Sequence, residues 1–170
     1  AQESRGVGDV YKRQIYDEYK ANRGEAPEDI SLQFPKIINF LKAKGVMVLS
    51  MDNYEADDVI GSLVKKFKSK YEIVILSGDK DFTQLIDSEV TMVDTMRDRT
   101  TSIDKVKEKY GLSPNQMIDF FALVGDSIDN IPGVRGIGPK TAQELLSKYK
   151  TLKNLYKNLD KIEKERIRNL

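Results

Sequence analysis

Apolar positions along this 170-residue chain change rhythm several times, and each change marks an element. From Pro27, residues Ile30, Phe34, Ile37, Ile38 and Leu41 fall on one helical face. Pro27 suits the first helical position, Glu28 and Asp29 the first turn, and Gly45 the stop. VMVLSM (46–51) is a short unbroken apolar run and predicts a buried strand. Ala56, Val59, Ile60, Leu63, Val64 and Phe67 then repeat at threes and fours, with lysines opposite, which predicts a strong amphipathic helix. EIVIL (72–76) predicts a second strand, Asp81 to Ile86 a short helical stretch, Glu89 to Met96 a third strand, and RDRT (97–100) a turn. Ser102 caps a helix ending at Tyr110-Gly111, and Ser113-Pro114 caps another through Val124. The first fourteen residues, AQESRGVGDVYKRQ, carry no clear period. The order α-β-α-β-α-β implies an α/β fold, a mostly parallel sheet with helices on both faces, and from Gly125 onward the pattern is all-helical.

Composition narrows the chemistry. Cysteine and histidine are both absent, which removes thiolate nucleophiles, zinc–thiolate sites and the imidazole base. A bound metal must therefore be held by oxygen, which favours Mg²⁺, Mn²⁺ or Ca²⁺. Apolar runs fall far short of the ~20 residues that cross a bilayer, and no basic start with an apolar stretch marks a signal peptide. The expectation is a cytoplasmic protein with no membrane partner. The net charge of +1 hides a division: 50–130 carries −6 and 131–170 carries +6. That division suits a metal site beside a phosphate grip, and equally two solvated faces of opposite sign.

Three acidic groups stand where a parallel sheet would put a ligand, beyond the ends of its strands. Glu55, Asp57 and Asp58 open the strong helix, Asp79 and Asp81 follow the second strand, and Asp126 and Asp129 lie in GDSIDN. Gathered carboxylates repel by about 4 kcal/mol per pair at ~4 Å, so they need cations. Two divalent ions would neutralise them and activate water without histidine. Each group also has a plain alternative: helix capping for EADD, a turn for DKD, and turn chemistry for GDSIDN. The stretch IPGVRGIGPKTAQELL (131–146) reads as a tight hairpin between short helices, with glycines at 133, 136 and 138 and Pro139 opening the second helix. Free N–H groups there can bind phosphate, with Lys140 adding charge. The spacing is not that of a nucleotide-triphosphate loop, and no strand precedes it as a dinucleotide fold requires.

YEADDVIGSLV, ILSGDKDFTQLI and YGLSPNQMIDFFALVGDSIDNIPGVRGIGPKTA resemble the 5′-nuclease (flap endonuclease) family, and within it the 5′–3′ exonuclease domains of bacterial DNA polymerases. The resemblance implies a PIN-like parallel α/β core carrying a helix–hairpin–helix module. It implies hydrolysis of DNA phosphodiesters at 5′ flaps and 5′ ends in replication and repair, with two Mg²⁺ or Mn²⁺ ions. Position by position, it makes Glu55, Asp57, Asp58, Asp79, Asp81, Asp126 and Asp129 metal ligands. IYDEYKANR resembles the base of the family's arch, where Lys20 and Arg23 would contact the scissile phosphate and Tyr19 would stack on a base. By residue type alone that cluster is equally a solvated helix end. The hairpin resembles the family's duplex-binding element, with Gly133, Gly136 and Gly138 holding a K⁺ ion and Arg135, Lys140 and Thr141 close to the DNA.

The resemblance divides the chain into an unmatched leader (1–14), a partial nuclease core with an arch remnant (15–124) and the helix–hairpin–helix region (125–170). The family opens with a strand bearing an acidic residue and a second strand bearing another metal-site Asp; neither is found in the leader. The expectation is an N-terminally truncated copy with weak or no cleavage, a monomer, with a polymerase domain as a partner further along a full-length protein. Two rivals stay open: a non-catalytic structure-specific DNA-binding module, and a carboxylate–metal phosphohydrolase acting on small substrates.

Overall fold

The computed structural model describes residues 8–24 and 27–162. The chain divides into two compact units, one formed by residues 1–60 with 128–130 and the other by 61–127 with 131–170.

The first unit holds helices α1 (Gly8–Ile15) and α2 (Glu28–Ala43) and the start of α3 (Ala56–Phe67). Helix α1 lies where no period was legible, and Lys12 and Arg13 in its last turn are half-buried. Pro27 sits one position earlier than expected, as the cap residue of α2, and Gly45 follows the helix at φ +74, a backbone that favours glycine. Two expectations fail here. The face of α2 that should be buried is open: Ile30, Phe34 and Ile37 are exposed, while Ile38 and Leu41 are half-buried. Residues 46–51 form no strand, and Val46, Met47, Leu49 and Met51 are exposed. A strand exists only where a neighbour takes its N–H and C=O groups. The Val46 N–H instead donates to the Leu41 carbonyl at the end of α2.

The second unit carries the sheet. β1 (Ile73–Leu76) pairs parallel with β2 (Val90–Asp94), with Ile73 opposite Val90 and Leu76 opposite Val93. β2 pairs antiparallel with β3 (Arg99–Thr101), so the described sheet has order β1-β2-β3 with one parallel and one antiparallel pair. A 3₁₀ turn over Lys80–Leu85 links β1 to β2. The turn expected at 97–100 lies at 95–98, and 99–101 is strand. Asp94 decides this: its buried carboxylate accepts from the N–H groups of Met96 and Arg97 and from Arg97 Nη1, closing the turn one residue after β2.

Helix α4 (Ile103–Tyr110) follows Ser102 and ends at Gly111 in the left-handed region. Gly111 takes φ +65, a backbone that favours glycine, whereas the Gln143 amide that a Cβ would meet is the free end of a side chain and can move aside. A 3₁₀ turn at Pro114–Gln116, boxed by Ser113 and Gln116, leads into α5 (Met117–Val124). Helices α6 (Pro139–Tyr149) and α7 (Leu152–Tyr156) complete the unit. Val90, Val106, Met117 and Leu146 are fully buried, each worth roughly 1.5–3 kcal/mol of burial. They tie sheet, α4, α5 and α6 into one core.

The region read as all-helical contains one small ribbon, β4 (Gly125–Asp126) antiparallel to β5 (Ile131–Pro132). Gly125 opposes Pro132 and Asp126 opposes Ile131. A Cβ on Gly125 would lie 2.2 Å from the Gly133 nitrogen, and one on Gly133 would lie 2.3 Å from the Val124 carbonyl carbon. Two glycines eight positions apart thus let the strand leaving α5 and the strand entering the glycine hairpin touch backbone to backbone.

Candidate active site

In the first unit, a short turn after α1 brings Tyr19, Lys20 and Arg23 to the start of α3. Lys20 Nζ donates to Glu55 Oε1 at 2.7 Å, and Lys12 Nζ, from α1, donates to Glu55 Oε2. The Tyr19 hydroxyl lies 3.4 Å from Glu55 Oε2 and 3.2 Å from Asp129 Oδ2, so one phenol bridges two carboxylates. Arg23 Nη2 donates to Asp129 Oδ1 at 2.5 Å, and the Lys20 backbone N–H donates to the Asp129 carbonyl at 2.8 Å. Lys20 adopts φ +55, uncommon for a residue with a side chain, and that backbone turn aims both its N–H and its ammonium at acidic partners. Asp58 Oδ2 accepts from the Glu55 N–H at 3.0 Å, a cap that fixes the first turn of α3. Asp57 is exposed on the same turn.

Burial drives the Lys20 and Lys12 ammoniums down, but the Glu55 carboxylate outweighs it and both end above their ordinary value. Burial pushes the Tyr19 phenol up, and the lysines beside it only partly oppose the shift. Cations and carboxylates alternate through the cluster.

In the second unit, Asp79 and Asp81 follow β1, and Asp126 lies in β4. Asp79 Oδ1 accepts from the Asp81 N–H at 3.0 Å and opens the 3₁₀ turn. Lys80 Nζ reaches Asp126 Oδ2 at 2.5 Å and Asp81 Oδ1 at 3.1 Å, and rests 5.1 Å from the centre of the Phe121 ring. Burial raises the Asp81 carboxyl, Lys80 opposes this, and the negative charges of Asp79 and Asp126 raise it further. Those three carboxylates thus lie within electrostatic reach of one another. Lys80 ends above its ordinary value because the two carboxylates outweigh its burial.

The structure thus joins Tyr19, Lys20, Arg23, Glu55, Asp58 and Asp129 in one unit and Asp79, Asp81 and Asp126 in the other. Among the described residues, no three Asp or Glu side chains close on one point as a metal centre would. The all-oxygen donor set suits a hard divalent cation, and in the second unit an ammonium already bridges Asp81 and Asp126. Sequence reasoning missed the parts played by Lys12 and Lys80. Lys80 was legible as the cation between two aspartates, whereas Lys12 lay in the stretch without a period.

The hairpin follows the ribbon. The Val134 N–H donates to the Leu123 carbonyl, the Ile137 N–H to the Val134 carbonyl, and Ile137 is buried as the anchor. Gly136 takes φ +84 at the tip. Gly138 caps α6, with Pro139 at its first position, and space is open around the Gly138 Cα. Arg135 and Lys140 are exposed beside that opening.

In the chain's order an α/β part is followed by helices around a glycine hairpin, and carboxylates pair with lysine and arginine in both units. Residues 5–111 match the 5′-3′ exonuclease N-terminal resolvase-like domain, and residues 112–170 match the 5′-3′ exonuclease C-terminal SAM fold. The chain belongs to the 5′-3′ exonuclease family. The first match begins inside the stretch read from sequence as a leader. The chain is 48% identical over 158 residues to DNA polymerase I of Caldicellulosiruptor bescii, covering 89% of this chain and 19% of that protein. It is 41% identical over 155 residues to a 5′-3′ exonuclease of Aquifex aeolicus, covering 91% of this chain and 54% of that protein. It thus spans about half the length of such exonucleases and about a fifth of the polymerases. Among solved structures, T5 5′-exonuclease with bound divalent metal ions (zinc) superposes with a TM-score of 0.76 at 23% identity, over 94% of this chain and 64% of that one. The catalytic core of Rad2 in complex with DNA substrate gives 0.57 at 17% identity, over 96% and 50%. These likenesses bear out the α/β core with its helical C-terminal part.

Proposed function

We propose that this chain carries the nuclease chemistry of a metal-dependent 5′–3′ exonuclease and flap endonuclease that hydrolyses DNA phosphodiesters. The observation that carries the reading is the alternation of cations and carboxylates around Tyr19. Lys20 and Arg23 are held by Glu55 and Asp129, so residues able to bind a phosphate sit against residues able to hold a metal. Family membership and the metal-bound and DNA-bound relatives support it.

Asp79, Asp81 and Asp126 would hold one Mg²⁺ or Mn²⁺ ion, and Glu55, Asp57, Asp58 and Asp129 another. Such ions, when bound, supply charge neutralisation and an activated water. This chain's own residues do the rest. Lys20 and Arg23 grip the scissile phosphate and stabilise the charge that develops on its oxygens. Tyr19, whose hydroxyl spans Glu55 and Asp129, keeps the grip and the carboxylates in fixed relation. The ring can also stack on a base once that network opens. The backbone at Gly133, Gly136 and Gly138 would hold a K⁺ ion, which would supply positive charge toward a duplex phosphate, with Arg135, Lys140 and Thr141 as polar neighbours. The substrate is DNA with a 5′ flap or 5′ end, the protein acts as a monomer in the cytoplasm, and a polymerase domain is the partner in longer relatives.

Mn²⁺ titration followed by electron paramagnetic resonance tests the reading without depending on turnover. The wild-type chain should bind Mn²⁺, and Asp81→Asn with Asp126→Asn should lose that binding. In a flap-cleavage assay the same pair should remove whatever cleavage the wild type shows while DNA binding persists. Absence of Mn²⁺ binding by the wild type would leave the DNA-binding module as the better reading.

A further inference from the structure

Within the second unit, the corner between α6 and α7 is built more firmly than a surface turn requires. Lys150 takes φ +70 with ψ −43, and the Thr151 N–H donates to the Tyr149 carbonyl at 2.9 Å. This three-residue γ-turn is of the rare, strained kind, which persists only where its surroundings over-determine it. Gln116 Nε2 donates to the Leu146 carbonyl at 3.0 Å and to the Lys150 carbonyl at 2.8 Å. Asp119 Oδ2, on α5, accepts from the Leu152 N–H at 2.9 Å, and Thr151 Oγ1 accepts from the Asn154 N–H at 3.2 Å.

The corner fixes the direction of α7. Leu155 is buried and Leu152 half-buried, so one side of the helix meets the core. Lys153, Tyr156 and Lys157 stand at i, i+3 and i+4 on the other side, and all three are exposed. Tyr156 is 68% exposed. Lys150 at the corner is exposed as well, and between residues 145 and 162 the sequence places five lysines against one carboxylate, Asp160. Helix α6 has 11 residues, about 16 Å of length, so this face lies at the opposite end of α6 from the glycine hairpin.

An open ring among ammonium groups differs from an ordinary solvated face. Lysines alone are well served by water, whereas a large ring left two-thirds bare gains from a flat partner. A single nucleic-acid strand offers both at once, phosphates for the lysines and unstacked bases for the ring. A duplex offers its phosphates but keeps its base faces inside the stack.

We infer that the outer face of α7 binds single-stranded DNA, with a base stacked on Tyr156 and backbone phosphates at Lys153 and Lys157. The choice of DNA rests on the nuclease reading; the pairing of ring and lysines does not. None of these residues belongs to the carboxylate clusters or to the glycine hairpin.

Fluorescence anisotropy of the 170-residue chain tests this, with EDTA present so that metal binding and cleavage play no part. The probes are a dye-labelled oligothymidylate of about twelve nucleotides, within the span of single-strand sites, and a blunt duplex of similar charge. Tyr156→Ala should weaken the oligothymidylate about fivefold or more and leave the duplex unchanged, while Tyr156→Phe should bind both as the wild type does. Lys153→Gln with Lys157→Gln should make the slope of log affinity against log salt shallower by about 1.4 for the single strand. All three side chains are exposed, and a thermal melt verifies that each variant folds. No saturable binding of the oligothymidylate by about 100 µM, unchanged affinity in Tyr156→Ala, or an unchanged slope in the lysine pair each overturns the inference. Equal weakening of both probes in Tyr156→Ala gives the face to duplex DNA and overturns the single-strand assignment. Because no divalent ion takes part, failure here and failure of Mn²⁺ binding at the carboxylates are read separately.

Discussion

If Asp81 and Asp126 hold a divalent ion as proposed, the Lys80 ammonium stands in its place, and this can be measured. That ammonium lies 2.5 Å from Asp126 Oδ2 and 3.1 Å from Asp81 Oδ1, between two carboxylates assigned here to an ion. Replacing Lys80 by methionine keeps an unbranched apolar side chain and removes the charge, and with it the ammonium's contact with the Phe121 ring. Lys80 and Asp81 keep more than a third of their side-chain surface in solvent, so each pair is worth about 0–1 kcal/mol once screening is counted. Asp126 is more enclosed, which puts its pair at the upper end of that range. Removing both pairs leaves two under-neutralised carboxylates and should favour a divalent ion by about 1–2 kcal/mol, or roughly 5- to 30-fold in affinity. Asp81 reinforces the effect, since its carboxyl is already raised and gains most from a nearby cation. Mn²⁺ titration at fixed ionic strength reads the change directly. If Lys80→Met binds Mn²⁺ as the wild type does, or more weakly, Lys80 is not standing in for a cation, and the assignment of Asp81 and Asp126 as joint ligands loses its support.

Other tests follow from single interactions. Asp94 is held below the ordinary carboxylate range, first by the Arg97 guanidinium and then by the backbone N–H groups it caps. Its stabilisation is therefore complete above the ordinary Asp value and is lost as pH falls through the lower, folded value. Thermal melts from neutral pH into acid should show a steeper loss for the wild type than for Asp94→Asn, which should start less stable. Gly133→Ala places a methyl 2.3 Å from the Val124 carbonyl carbon and should cost about 1–3 kcal/mol in urea unfolding. Gly125→Ala should cost at least as much, because φ +78 with ψ −177 is a backbone essentially reserved for glycine. Duplex binding through the basic end should weaken with salt at a logarithmic slope near −3.6 if about four phosphates are contacted, and a flat dependence would remove the duplex grip.

What the sequence made legible depended on whether a residue's partners were near in the chain or apolar in kind. β1, β2 and α3 to α6 were readable because each carries its own periodicity and its own stops, such as Ser102 before α4 and Gly111 after it. The β4–β5 ribbon was not, since two residues a side leave no period; its signature is the pair Gly125 and Gly133, whose meaning appears only when the two backbones touch. Residues 46–51 misled because an apolar run reports what a segment could bury, whereas strand formation also requires a neighbour's backbone groups. The candidate site divides in the same way. Its acids were visible by type and by position beyond strands and at helix starts. Its cations were visible only where a motif framed them, as for Lys20 and Arg23. Lys12 shows why: it lies in a stretch too short to show a period, and its partner Glu55 is 43 positions away. Each described contact between a cation and an acid named here for the metal joins residues distant in sequence or, at Lys80 and Asp81, immediate neighbours that a turn forces together. Such charge pairing leaves no periodic trace. It follows that in a chain without histidine or cysteine, the acids announce where a cation belongs, and a lysine that no motif frames, such as Lys12, emerges only from the fold.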